Sequence, residues 1–126
     1  MRIAIATRNT ARCVDSLRRA AGLDADTFAP VLTREGPHPD KPDPAIALAA
    51  CKAWGIRPQE CLMVGDSMDD MRCGRAAGMA TCFVVPPDVY AEHTVAPCSP
   101  LAAEVDFCVA TLAALQRMLS DAVDPE

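Results

Sequence analysis

Short apolar runs alternate along this chain with longer stretches in which apolar residues recur every three or four positions. The first run, Ile3-Ala4-Ile5-Ala6, reads as a strand. The polar turn Thr7-Arg8-Asn9-Thr10 follows and opens a helix, with Asn9 or Thr10 as its N-cap. Val14, Leu17 and Ala21 sit at helical spacing, and Gly22 closes that helix as a C′ glycine. A second strand is predicted over residues 29–33. Residues 36–44 carry Pro37, Pro39, Pro42 and Pro44, which stiffen the loop. Asp43-Pro44 then starts a helix, with Asp as N-cap and Pro at N1. Its face is Ile46, Ala49, Ala50, Ala53 and Trp54, and Gly55 ends it. The third strand spans 61–65. The helix after it runs to Ala77 and stops at Gly78. A fourth strand covers 80–85 and is stopped by Pro86-Pro87. Residues 88–105 read as a surface segment with a short helix over 88–93. Phe107-Cys108-Val109 reads as a short edge strand. Leu112, Leu115, Met118 and Leu119 mark a final amphipathic helix, and residues 123–126 are expected to fray.

The order β-α-β-α-β-α-β-β-α predicts an α/β fold, a Rossmann-like parallel sheet with helices on both faces. Ligands of such sheets bind beyond the carboxyl ends of the strands. Thr7 and Asp66 both fall just past a strand's carboxyl end, and Lys41 can reach the same edge from its loop. Asp24-Ala25-Asp26-Thr27 has the outline of a nucleophilic D-x-D-x-T pattern. It follows a helix-ending glycine rather than a buried strand, so it is read as an Asp-rich turn.

Composition narrows the function. At 126 residues one domain is expected. The net charge of −5 and pI near 4.9 argue against a nucleic-acid footprint, which needs a clustered basic face. No apolar run approaches a membrane span, since Lys52 and Arg57 interrupt the longest. Nor is there a leader-like apolar segment at the start. The seven cysteines are an odd number, none in a CxxC pair, and are read as reduced thiols of a cytoplasmic protein. His38 and His93 have no companion at metal-ligand spacing.

The chemistry concentrates in Leu62-Met63-Val64-Gly65-Asp66-Ser67-Met68-Asp69-Asp70. Three carboxylates this close repel unless they share a positive partner. A hard divalent cation such as Mg2+, which keeps waters and needs few carboxylates, suits them. The alternative is an acidic helix start, with Ser67 or Asp66 capping and the other acids answering the helix dipole. The Thr7 turn likewise reads either as an anion site at a helix N-terminus or as plain capping. Lys41 is either aimed at an anion or a solvated surface lysine. The prolines on both sides of it favour a fixed position.

Taken in order, Thr7 within IATRN, Lys41 within KPDP, and Gly65-Asp66-Ser67-x-x-Asp70 within VGDSMDDMRCGRAAGM resemble motifs II, III and IV of the haloacid dehalogenase-like (HAD) hydrolases. The likeness is closest to phosphoglycolate phosphatase-like members and covers residues 3 to 85, more weakly the tail. It implies a Mg2+-dependent phosphatase of a small phosphorylated metabolite, acting through an aspartyl-phosphate. It implies that the Thr7 hydroxyl, with the Arg8 and Asn9 amides nearby, binds the phosphoryl group. Lys41 would neutralise charge, Asp66 would ligate Mg2+, and Asp70 would hold the metal or its waters. The family's Asp-x-Asp strand, which supplies nucleophile and general acid, has no counterpart ahead of Thr7, and the cap domain is missing too. Residues 1–126 are therefore expected to form a partial HAD-like core. In the family sheet the missing strand lies between those ending at Thr7 and Gly65, so a gap, or a forced contact of the two, is expected. Such a chain would have little activity alone. The other reading is a non-catalytic HAD-like module that binds phosphate or a protein and self-associates through the gap.

Overall fold

A computed structural model describes residues 1–85 and 103–123. In order it contains β1 (Ile5–Ala6), α1 (Ala11–Ala20), β2 (Val31–Leu32), α2 (Ala45–Trp54), a 3-10 turn at Pro58–Glu60, β3 (Leu62–Gly65), α3 (Met68–Ala77), β4 (Ala80–Val84), β5 (Phe107–Val109) and α4 (Leu112–Val123). This is an α/β fold, and every strand pair is parallel. The helix expected over 88–93, His93 and residues 124–126 lie outside the described residues.

The local signals set the helix ends. Thr10 caps α1 by accepting from the Cys13 amide at 3.1 Å. Ser67 caps α3 by accepting from the Asp70 amide at 3.3 Å. Gly22, Gly55 and Gly78 follow their helices with φ of 72°, 67° and 89°, the left-handed turn that glycine adopts without strain. At α2 the start is one residue later than expected: Pro44 occupies the N-cap, and Asp43 Oδ1 accepts from the Ala45 amide at 2.9 Å.

The strands form two sheets rather than one. Among the described residues β1 pairs only with β2, Ile5 opposite Val31 and Ala6 opposite Leu32. β3, β4 and β5 form the other sheet in that order. A gap therefore separates β1 from β3, the first of the two expected outcomes. β1 and β2 are shorter than predicted. A two-stranded sheet is marginal by itself, and its end pairings weaken first.

The larger sheet is covered on both faces. On one face Met71 of α3 packs with Phe83, Val85 and Val105, with Met63 and Met68 beside them. On the other, Leu115 of α4 packs with Cys82 and Val109, next to Leu62 and Val84. Alternate residues of β3 and β4 thus point to opposite helices, as the strand period of two requires. α3 lies very close to the sheet because it carries Gly74. A Cβ there would stand 2.6 Å from the Met63 Cβ and 3.0 Å from the Thr81 Cγ2. Val105, placed by sequence in a surface segment, is instead buried.

The smaller sheet is attached more lightly. None of residues 1–45 is buried. Ala6 and Leu32 lean on the cluster of Ile46, Ala47, Cys51, Cys61, Cys73, Ala77 and Met79. Trp54 Nε1 donates to the Ala29 carbonyl at 2.7 Å, and Arg2 donates to the Trp54 carbonyl at 2.9 Å. Cys13, Cys51, Cys61, Cys73 and Cys82 are free thiols. Cys108 is disulfide-bonded, which corrects the expectation that all seven cysteines stay reduced. Among the described residues no helix is long and apolar enough to cross a membrane.

Candidate active site

The carboxyl ends of β1 and β3 open on the same side of the molecule, and three loops converge there across the gap. Thr7 leaves β1 with its amide still bonded to the Leu32 carbonyl at 3.0 Å. Its hydroxyl oxygen accepts from the Asn9 amide at 3.1 Å, a turn that fixes the side chain. The hydroxyl proton remains available to an acceptor. The Asn9 amide, expected to face a phosphate, is committed to Thr7 instead, and the Asn9 carbonyl accepts from the Arg34 amide. Of the amides expected to meet an anion, this leaves that of Arg8.

Lys41 is the link between the sheets. Its ammonium donates to the Ala6 carbonyl of β1 at 2.9 Å and pairs with Asp70 Oδ1 of α3 at 2.6 Å. The two side chains are only 13% and 11% exposed. A charge so sheltered is screened less than a surface pair, so Lys41 is held and is not a solvated surface lysine. The other Asp70 oxygen accepts from the Ser67 hydroxyl at 3.0 Å.

Gly65 explains how Asp70 fits. A Cβ at that position would collide with the Asp70 carboxylate. The glycine ends β3 because the acid of the next helix folds back against it. No positive φ is involved.

The carboxylate run is sorted by its partners. Asp69 Oδ2 pairs with Arg8 at 2.8 Å, and Arg72 stands 3.9 Å from its other oxygen. The Arg8 guanidinium is raised further above its ordinary value, first by this hydrogen bond to Asp69. Asp70 belongs to Lys41 and Ser67. Asp66 is exposed at the tip of β3 and has no ion pair among the described residues. No group of three acidic, histidine or cysteine side chains converges as a metal cage among the described residues. The set fits a hard ion that keeps most of its waters, with Asp66 as the free carboxylate and Asp70 behind it.

The Asp24–Thr27 segment is a turn, with the Thr27 amide donating to the Asp24 carbonyl at 3.2 Å. It precedes β2, at the amino end of the small sheet, and so lies away from Thr7. One participant escaped the sequence reading: the side chain of Arg8, for which only the amide was considered. Besides Asp69 it donates to the Lys41 carbonyl at 2.6 Å. No local pattern marks a partner 61 residues away.

The fold is α/β with parallel strands, and a sheltered lysine–carboxylate pair stands at their carboxyl edge. A family model described as haloacid dehalogenase-like hydrolase matches residues 1–78, and the chain belongs to that family. A haloacid dehalogenase-like hydrolase domain-containing protein of Arabidopsis thaliana is 35% identical over 121 residues, which is 94% of this chain and 46% of that protein. A phosphoglycolate phosphatase of Thiobacillus denitrificans is 35% identical over 106 residues, 84% of this chain and 44% of the enzyme. The crystal structure of a HAD phosphatase from Thermococcus onnurineus superposes with a TM-score of 0.73 at 25% identity, over 94% of this chain and 50% of that one. The chain thus spans about half the length of the relatives it matches.

Proposed function

We propose that this chain carries the phosphate- and Mg2+-facing half of a phosphatase acting on a small phosphorylated metabolite. The observation that supports it is the sheltered Lys41–Asp70 pair, held across the gap by the Ala6 carbonyl that precedes Thr7. In this reading the Thr7 hydroxyl and the Arg8 amide bind the phosphoryl group, with Asn9 shaping the turn. Lys41 neutralises its charge, which is most of what phosphoryl transfer asks of a protein. Asp66, with Asp70, holds Mg2+, which when bound polarises the phosphoryl oxygens. Residues 1–126 act as one partial HAD-like core of a cytoplasmic protein.

Within the carboxylate run, Asp69 is paired with Arg8 and Asp70 with Lys41, and this reading gives Asp66 to the metal. An attacking carboxylate is thus unaccounted for, and covalent transfer needs one. We therefore infer that residues 1–126 have little activity by themselves. Hydrolysis of p-nitrophenyl phosphate with Mg2+, beside Asp66→Asn, tests this. No turnover above the control is expected. Turnover abolished by the substitution would mean that another carboxylate attacks.

A second reading is favoured by the split sheet itself. A non-catalytic module could bind phosphate or a protein and use the edges of β1 and β3 that are unpaired among the described residues to accept a strand or to self-associate. Light scattering across a concentration series tests self-association, and a constant monomer mass would count against it.

A further inference from the structure

We propose that Arg8 is a positioning residue that holds Lys41 in place across the gap between the two sheets. β1–β2 and β3–β5 share no strand pairing. At the carboxyl edge two cations connect them. Lys41 reaches from the Ala6 carbonyl to Asp70. Arg8 does the converse: it stands on the β1 side and donates to the Lys41 carbonyl at 2.6 Å and to Asp69 of α3 at 2.8 Å. Lys41 is thus gripped at both ends, its ammonium by Ala6 and Asp70 and its backbone by Arg8. A hydrogen bond from a charged donor is about twice as strong as a neutral one, so the Arg8 grip is not trivial even where it is half exposed. The same contact turns the Asp69 carboxylate toward the guanidinium and leaves Asp66 as the free acid of the run.

The use of this arrangement in binding phosphate rests on the function proposed above. The positioning itself does not, and it can be read separately. The chain has only two lysines, Lys41 and Lys52. With 13C-labelled lysine, the two Cε signals report a held and a solvent-exposed ammonium. In Arg8→Gln the Lys41 signal is expected to move toward that of Lys52. In Asp69→Asn, which keeps the Arg8–Lys41 contact, it should move only part of the way. Arg57→Gln, a surface change far from the gap, should move neither. In parallel, inorganic phosphate is titrated with Mg2+ by calorimetry, and Arg8→Gln should weaken binding roughly tenfold, the loss of about one charge-assisted hydrogen bond. An unmoved Lys41 signal in a folded Arg8→Gln chain would overturn the positioning role. If the wild-type chain binds no phosphate while the lysine signal moves, the phosphatase reading falls and the positioning role stands.

Discussion

The β1–β2 unit and the β3–β5 unit are built from the same kinds of element, yet only one of them has an interior. Met71, Cys73 and Cys82 in the larger unit are completely buried. In the smaller unit Leu17, on the apolar face of α1, remains 62% exposed, and none of residues 1–45 is buried. Ile5, Val14, Leu17, Arg18, Leu23 and Phe28 line an open cleft of about 180 Å3 where a core would be. The difference is one of neighbours rather than of sequence character. β4 has a strand on each side and helices on both faces. Among the described residues β1 has a strand on one side only. An apolar face stabilises a fold in proportion to the surface it removes from water, so the two units should contribute very unequally.

The sharpest way to break that comparison is the same truncation in both units. Met71→Ala removes a fully buried side chain and should cost about 2–5 kcal/mol in urea unfolding. Leu17→Ala should cost less than about 0.5 kcal/mol. Equal losses would mean that the α1 face is covered in solution.

The next largest effect should come from the link between the units. Lys41→Met leaves the sheltered Asp70 carboxylate with Ser67 alone and should cost about 3 kcal/mol. Adding Asp70→Asn should recover part of that loss, because the stranded charge is removed. Gly65→Ala comes third. The new methyl must displace Asp70, for a cost of about 1–3 kcal/mol. Circular dichroism melts of the three variants rank them.

The smallest effect concerns pH. Burial, with Cys51 Sγ at 3.6 Å, pushes the Cys61 thiol up to about 11 from an ordinary 9.0. The folded chain therefore favours the protonated thiol. That contribution is complete below about pH 9 and is lost as pH rises through about 11. Urea midpoints should fall across this window, and Cys61→Ala should flatten the fall. Amide exchange sharpens the contrast without mutation: the Ile5 and Thr7 amides should exchange well before that of Val85, because local opening is easiest where little apolar surface is packed.

Much of the architecture was legible because it is locally encoded. Thr10, Ser67, Gly22, Gly55 and Gly78 cap the helices they were expected to cap, since a cap is decided within four or five residues. The one-residue shift at Pro44 is of the same local kind, with Asp43 still bonding the first free amide. Val105 and the disulfide-bonded Cys108 were misjudged because burial and cysteine pairing depend on distant chain. Thr7 and Asp66 could be assigned to one edge from strand order, with Lys41 able to reach it from its loop. The fate of the Asn9 amide could not, because either an anion or the Thr7 hydroxyl could take it.

By itself, then, the sequence determined the alternation of strands and helices, most of the helix ends and the family, because periodicity, caps and motif spacing act over short stretches. Only the tertiary structure decided that the sheet divides, that Gly65 is a seat for Asp70, and that Arg8 and Lys41 join the two parts. The Arg8 and Lys41 contacts join partners 29 to 61 residues apart, and only the folded backbone sets the distances between them.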